Sequence, residues 1–199
     1  MTSPLILPSP EIWHRDDLPL LCNWRKLYRC VEVGVDRGNW SRLFLDRFPQ
    51  IKEWWGVDDW SAYGEMNFDR EADYLMAVAN IQPHSPRAKL IRASSAAAAS
   101  CFGPGSVDFV YVDAAHDFDS VATDLWAWWP TISDHGILAG HDWTDHPHHE
   151  GVKRAVAEFA KEHGLKVYLT AVDGYDAETC PSWYMYKSGE IPGSDWRRC

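Results

Sequence analysis

Apolar and polar residues along the chain follow two different periods. Dense apolar runs rich in valine, isoleucine and aromatic residues are typical of buried strands, and apolar residues three and four positions apart are typical of helices. The sequence predicts strands at 30–35, 54–58, 88–93, 107–113, 136–142, 166–171 and 182–187. It predicts helices at 15–24, 39–48, 68–80, 94–102, 118–129 and 151–164. Gly164 is placed to cap the last of these helices.

Strands that alternate with helices favour right-handed crossovers and a parallel sheet that is covered on both faces. The last two strands are joined by "VDGYDAETCP", which has no helical pattern, so they are expected to run antiparallel. The predicted fold is therefore α/β, a Rossmann-like, doubly wound, mainly parallel seven-stranded sheet with one antiparallel strand near the edge. Residues 30–187 are expected to form this domain, preceded by an arm and short helix (1–29) and followed by a tail (188–199).

Charge and composition exclude several classes of function. The 199-residue chain has a formal net charge of −10 and no basic cluster beyond Arg197 and Arg198, which argues against extended nucleic-acid binding. No stretch approaches the ~18 apolar residues that a membrane span needs. The five cysteines are scattered without Cys-x-x-Cys spacing, as expected for free thiols in a reducing compartment. We therefore expect a cytoplasmic protein, and homo-oligomerisation stays open.

The first predicted strand ends in "VEVGVDRGNW", a turn with two glycines four residues apart. Gly34 allows a sharp turn and Gly38 a close approach, but the spacing differs from the Gly-x-Gly-x-x-Gly pattern that binds a dinucleotide. Glu32 in this strand would repel a pyrophosphate and attract an ammonium group. Asp58 ends the second strand, where it can accept hydrogen bonds from ribose hydroxyls. S-adenosylmethionine carries a nucleoside, an ammonium and a carboxylate, and it fits this arrangement.

Six stretches between residues 30 and 186 resemble one enzyme family: "VEVGVDRGNWS", "GVDDW", "SVDFVYVDAAHDFDSVATDLWAWWP", "GILAGHDW", "GVKRAVAEF" and "PSWYM". They are similar to class I S-adenosylmethionine-dependent methyltransferases, and more narrowly to a small bacterial branch related to macrolide-sugar O-methyltransferases. The resemblance implies that Asp58 binds ribose. Ala93 stands where the family often has an acid near the adenine, so that contact falls to Ser94, Ser95 or backbone atoms.

The fourth and fifth predicted strands end in "YVDAAHDF" and "LAGHDW", which should bring Asp113 and Asp142 close together. Two carboxylates and an imidazole suit Mg²⁺ or Mn²⁺. Metal-dependent relatives imply Asp113, His141 and Asp142 as ligands, although Ala115 replaces a frequent second acid. Neighbouring strand residues point to opposite faces, so His141 and Asp142 can share a metal only if the strand has ended. His116, His141 and Asp113 are the candidate catalytic residues, and Asp113 is also expected to contact the cofactor.

The sequence favours an S-adenosylmethionine-dependent methyltransferase that acts on a small-molecule acceptor, at oxygen and with a divalent metal. Two alternatives stay open: a metal-free N- or C-methyltransferase with a histidine base, and a catalytically silent cofactor-binding module. The histidine-rich segment "HDWTDHPHHE" lacks the Cys/His spacing of a structural zinc site. We expect its last three histidines, His146, His148 and His149, to lie in a solvated, mobile loop over the pocket.

Overall fold

The computed structural model describes residues 11–62, 69–146, 149–170 and 180–188. Its seven strands are β1 (Arg29–Val33), β2 (Glu53–Asp58), β3 (Ala88–Arg92), β4 (Val107–Val112), β5 (Ile132–Gly140), β6 (Tyr168–Leu169) and β7 (Trp183–Tyr186). Its six α-helices are α1 (Leu18–Arg25), α2 (Asn39–Arg47), α3 (Arg70–Ile81), α4 (Ser95–Ala99), α5 (Phe118–Trp128) and α6 (Glu150–His163). Each predicted element overlaps the corresponding observed one.

All seven strands form one sheet in the order β3-β2-β1-β4-β5-β7-β6. The first five strands in this order run parallel to one another, whereas β7 is antiparallel to both β5 and β6. The predicted fold class is confirmed, and the reversed strand lies second from the edge. Strand order changes direction between β1 and β4, which is the position where open α/β sheets bind ligands.

The alternation of side chains along the strands divides the core between the two faces of the sheet. Cys30 of β1 packs on the face covered by α1, α2 and α3, whereas Val31 and Val33 pack on the face covered by α4, α5 and α6. Leu18 and Leu21 of α1 are fully buried in the first of these clusters. The segment predicted as an arm and short helix thus contributes to the core, and the proposed domain boundaries stay predictions.

Polar caps fix where the two helices nearest the site begin. Asp69 accepts a hydrogen bond from the Ala72 amide at 3.0 Å before α3, and Asp117 accepts one from the Ser120 amide at 3.0 Å before α5. Gly164 ends α6 in the left-handed conformation (φ +65°), as predicted. In the described part of the chain, no helix combines the length and apolar character required to cross a membrane. The cellular compartment stays a prediction.

Candidate active site

Gly34 brings the ends of β1 and β4 together. Its φ is +87°, and a Cβ at this position would lie 2.0 Å from the carbonyl oxygen of Asp113. The Gly34 amide donates to Val57 at 2.9 Å, and the Asp113 amide donates to Val33 at 2.8 Å. Only glycine fits both the conformation and the contact, so the sharp turn expected of Gly34 is present.

Asp58 holds this turn from the end of β2. Its Oδ2 accepts hydrogen bonds from the amides of Val35 (3.0 Å) and Asp36 (2.9 Å), and its Oδ1 accepts one from the amide of Trp60 (2.8 Å). An ionised carboxylate has about four acceptor positions, so one remains for a ligand hydroxyl. Asp58 therefore orders the turn and keeps capacity to bind a ribose.

A cavity of about 650 Å³ opens beside Asp58, at the carboxyl ends of β1 to β4. This volume lies in the range of small-molecule and cofactor sites. The wall continues along the first turns of α4 and α5. The predicted site residues that line it are Gly34, Asp58, Ser94, Ser95, Asp113 and His116.

Glu32 and Gly38 lie elsewhere. Glu32 is 3% exposed and lies on the face of the sheet that α1, α2 and α3 cover, where the Ser41 hydroxyl donates to its Oε2 at 2.6 Å. Burial raises the pKa of Glu32 well above its usual value, although the Ser41 hydrogen bond opposes the shift. A Cβ on Gly38 would lie 3.1 Å from the Cα of Ala77, so this glycine allows α3 to approach. Neither is among the described residues that line the cavity, and their contact with the cofactor stays a prediction.

Asp142 lies at the centre of a charged cluster made of Asp113, His116, His141, Asp142 and His149. The strand has ended at Gly140, and Asp142 adopts a φ of +60°, which lets consecutive side chains converge. Its Oδ1 lies 3.1 Å from His141 Nδ1 and 3.0 Å from His149 Nδ1. Its Oδ2 lies 3.0 Å from His116 Nε2. His141 and Asp142 could bind one metal only if the strand ended before them, and the strand does end there.

Electrostatics differ among the members of this cluster. Burial opposes ionisation of Asp142, but hydrogen bonds from His116 and His141 outweigh it and hold the pKa of Asp142 well below its usual range. The hydrogen bond to Asp142 raises the pKa of His116, against the effect of burial. Burial raises the pKa of Asp113, and His141 opposes that shift. Asp142 is thus a firmly ionised carboxylate that strengthens His116 as a proton acceptor.

Arg15 adds a positive charge from the segment before α1. Its Nη1 donates to Asp113 Oδ2 at 3.1 Å. The Tyr111 hydroxyl lies 2.9 Å from Ser182 Oγ. Burial works against the charge of Arg15, but Tyr111 and Asp113 outweigh it and raise the pKa of the guanidinium. Asp113 is therefore shared between the cavity wall, Arg15 and the charged cluster.

Asp124 lies on α5 in the cavity wall and is 6% exposed. The nearby Ser95 Oγ accepts a hydrogen bond from Trp128 Nε1 at 2.9 Å. Burial raises the pKa of Asp124 to about 6, although Ser95 opposes the shift.

Comparison with known proteins identifies the family. A protein-family model described as a methyltransferase domain matches residues 31–143, more than half of the chain. The chain belongs to this methyltransferase family. The predicted enzyme class, an S-adenosylmethionine-dependent methyltransferase, is thereby confirmed. No curated protein sequence matches the methyltransferase significantly.

Solved structures share the fold of the methyltransferase at low sequence identity. Cofactor-bound Rv0187 from MTB is 13% identical with a TM-score of 0.68, covering 87% of this chain and 79% of that one. An O-methyltransferase from Bacillus cereus in complex with SAH is 14% identical with a TM-score of 0.66, covering 86% and 80%. Spermidine synthase from Thermotoga maritima is 15% identical with a TM-score of 0.62, covering 88% and 57%. These likenesses concern the fold alone.

Among the residues that the structure describes, the methyltransferase has two groups of side chains whose geometry fits a metal ion. One potential ligand atom from each of Asp113, His141 and Asp142 lies within 4.8 Å of the others, and the same holds for His116, Asp142 and His149. The first group is the predicted set, and its oxygen-rich donors suit Mg²⁺ or Mn²⁺. The second was missed, because His149 was expected in a solvated loop.

A glycine explains how His149 reaches the cluster of the methyltransferase. A Cβ on Gly151 would lie 2.4 Å from the carbonyl oxygen of His116, so the start of α6 can lie directly on the β4–α5 connection. The His149 ring consequently stacks on the His116 ring at 4.2 Å between centroids. His146 is exposed, as predicted, and His148 lies outside the described residues.

Arg70 is another residue of the cavity wall that sequence reasoning missed. Its Nη1 donates to Asp36 Oδ1 at 2.7 Å and to Asp73 Oδ2 at 2.8 Å, and Arg37 Nε also donates to Asp73 at 2.7 Å. Asp73 is 3% exposed on the apolar face of α3. A lone acid on a buried helical stripe is a signal that could have pointed to this network.

Proposed function

We propose that this methyltransferase transfers a methyl group from S-adenosylmethionine to a hydroxyl oxygen of a small molecule, with a divalent cation held by Asp113, His141 and Asp142. The observation that carries the proposal is the position of Asp113. This residue lines the cavity beside Asp58 and also belongs to the charged cluster. A donor bound in the cavity would thus have its reactive end next to acid and histidine side chains.

Residues of the cavity wall would bind the methyl donor, S-adenosylmethionine. Asp58 keeps an acceptor position for a ribose hydroxyl, and Gly34 leaves the turn free of side chain where the amino-acid portion would pass. Ser94 and Ser95 offer hydroxyls toward the base. A fixed donor with an acceptor in line could lower the barrier by several kcal/mol, since orientation is worth about 7–11 kcal/mol in favourable cases.

Transfer then requires a proton acceptor. The acceptor oxygen forms a bond to the methyl carbon, the carbon–sulfur bond breaks, and the hydroxyl proton passes to His116, with a methyl ether and S-adenosylhomocysteine as products. His116 lines the cavity, and Asp142 holds its ring through Nε2 at 3.0 Å. A bound divalent cation would favour the deprotonated hydroxyl. Because the sequence resembles a branch related to macrolide-sugar O-methyltransferases, sugar-like compounds with hydroxyl groups are the first acceptors to test.

Metal-free transfer with a histidine base is the second candidate. The observation that favours it is Arg15, whose guanidinium lies 3.1 Å from Asp113 Oδ2 and supplies a fixed positive charge at one of the ligand positions. In that case His116 and Asp142 would act as a base and its orienting acid, and nitrogen or carbon acceptors become suitable. Both candidates require the charged cluster, which a silent binding module would not.

A panel assay with metal removal decides between them. Purified enzyme is treated with a chelator and dialysed, and S-adenosylhomocysteine release is then measured over a panel of sugar, phenol and amine acceptors with no metal, Mg²⁺ or Mn²⁺. The metal proposal expects turnover to fall at least ~10-fold on chelation and to return with either ion. Turnover of any acceptor that resists chelation supports the histidine base instead. Absence of S-adenosylhomocysteine binding, measured by calorimetry, would reject both.

A further inference from the structure

We propose that Asp124 recognises the adenine base of the cofactor by accepting a hydrogen bond from its 6-amino group. This inference rests on the proposed cofactor site and adds a residue that determines nucleoside specificity. The base would thus be selected by an acid on α5 rather than by one after β3.

The cavity wall sets the direction in which a nucleoside lies. Asp58 is the acceptor for ribose, and the next strand end is adjacent because the Ala93 amide donates to the Asp58 carbonyl at 3.1 Å. Beyond Ala93 the wall consists of Ser94, Ser95 and the inner side of α5. A base attached to ribose at Asp58 therefore points toward the region between α4 and α5.

Ala93 leaves this region without an acid from β3, and Asp124 brings one from the other side. Asp124 occupies the inward stripe of α5 together with Val121, Leu125 and Trp128, all of which are buried. An acid on such a stripe is costly to bury unless it finds polar partners. Its position in the cavity wall indicates a ligand as one of those partners.

Ser95 is a neighbouring polar group that lowers the pKa of the Asp124 carboxyl. Because Trp128 Nε1 donates to Ser95 Oγ at 2.9 Å, the Ser95 hydroxyl hydrogen is free to point at Asp124. The other electrostatic influence on the carboxyl is Asp117, a like charge that raises the pKa of Asp124 further. An amino group in the cavity would add a hydrogen bond to the ionised carboxylate and offset the cost of its burial.

This arrangement predicts discrimination between amino and oxo bases. Adenine presents a donor at its 6-position, whereas hypoxanthine presents an oxygen that an ionised carboxylate cannot bind. Rejection of an analogue that leaves a buried polar group unpaired is the strongest form of small-ligand specificity. An amide in place of the carboxyl can accept from an amino group or donate to an oxo group, so it should bind both bases.

Calorimetry tests the proposal with S-adenosylhomocysteine and its 6-oxo analogue, S-inosylhomocysteine. At about pH 8, where Asp124 is ionised, we expect the wild type to bind the adenosyl compound at least ~10-fold more tightly. Asp124→Asn should reduce that preference to within ~3-fold, and Asp124→Ala should weaken binding of the adenosyl compound and tighten binding of the inosyl compound. The matched control is Asp134→Asn, an exposed acid on β5 that is not among the described residues of the cavity wall, and it should keep the wild-type preference.

The outcomes separate this inference from the proposed function. A wild type that binds both compounds equally, or an Asp124→Asn variant that retains the full preference, would overturn the role of Asp124 and leave the cofactor site intact. A wild type that binds neither compound would instead reject the cofactor site. Circular dichroism checks the fold of each variant, and Asp124→Ala, which should also lose the preference, provides the test if Asp124→Asn does not fold.

Discussion

Asp124 in the cavity wall and Asp142 in the charged cluster are two buried aspartates with opposite surroundings. Asp124 and Asp142 are 6% and 5% exposed, so their burial is nearly equal. Asp124 has a hydroxyl neighbour and a raised pKa, whereas three histidines surround Asp142 and its pKa is lowered. The comparison teaches that the neighbours of a buried acid, rather than its burial, decide its charge. Asp142 is therefore firmly charged, whereas Asp124 keeps its proton to a higher pH.

The largest effect should come from Gly34, the residue that brings the ends of β1 and β4 together. Gly34→Ala places a methyl group 2.0 Å from the Asp113 carbonyl oxygen at a φ of +87°, so the turn and the end of β4 must separate. We expect a loss of at least about 4 kcal/mol in the free energy of unfolding, measured by urea titration. Gly103→Ala is the control, because a Cβ there has no heavy atom within 4 Å, and it should change stability by less than ~0.5 kcal/mol.

Asp142→Ala tests the charged cluster separately from the cavity wall. It removes the carboxylate that holds His116, His141 and His149, so turnover with an accepted substrate should fall by about 100-fold to 1,000-fold. Binding of S-adenosylhomocysteine should change by less than ~3-fold, since Asp142 is not among the described residues of the cavity wall. Asp145→Ala, an exposed acid three residues on, should leave both unchanged. Equal losses in the two variants would show that the cluster has no special role.

Asp58→Asn tests the donor-binding wall in the same way. The amide keeps the shape of the side chain but loses the charge that holds the Val35 and Asp36 amides and the proposed ribose contact. The dissociation constant of S-adenosylhomocysteine should rise about 10-fold to 100-fold in calorimetry. The neighbouring Asp59→Asn, which also lines the cavity, should raise it less than ~3-fold. Similar affinities for the two variants would contradict the assignment of Asp58.

The smallest effect sharpens the contrast in charge. The pKa of Asp124 is raised from 3.8 to about 6 in the folded protein, so the unfolded chain loses this proton more readily. Ionisation therefore lowers the free energy of unfolding progressively between about pH 4 and pH 6. Asp124→Asn should therefore stabilise the protein at pH 8 by about 1 to 2 kcal/mol, below the ceiling of about 3 that the shift implies. The gain should vanish below about pH 3, where the acid is neutral in both states. Thermal unfolding across this pH range measures it, and a gain that does not depend on pH would contradict the shifted pKa.

The fold and the strand-end acids were predictable because the sheet repeats one simple rule. A buried parallel strand is a short apolar run, and its carboxyl end faces the ligand site, so Asp58, Asp113 and Asp142 could be placed from their positions alone. The same alternation explains the location of Glu32, which shares a face with Cys30 two residues earlier and consequently turns toward α2.

Other residues gave a weaker signal or none. Asp124 interrupts an apolar stripe on α5, and that break in the pattern could have identified it. Arg15 contacts Asp113 across 98 residues of sequence, and no local pattern encodes such a distant pairing. His149 reaches the cluster because Gly151 permits close packing, a tertiary contact that loop composition does not reveal.

The insertion of β7 between β5 and β6 has a consequence for the order in which the protein is made. Trp183 Nε1 donates to the His141 carbonyl at 2.9 Å, and the Trp143 amide donates to the Pro181 carbonyl at 3.0 Å. The described residues that line the cavity lie between Val33 and Asp124, so they leave the ribosome well before these partners are synthesised. A nascent chain halted before Pro181 would carry these residues without the strand that contacts His141.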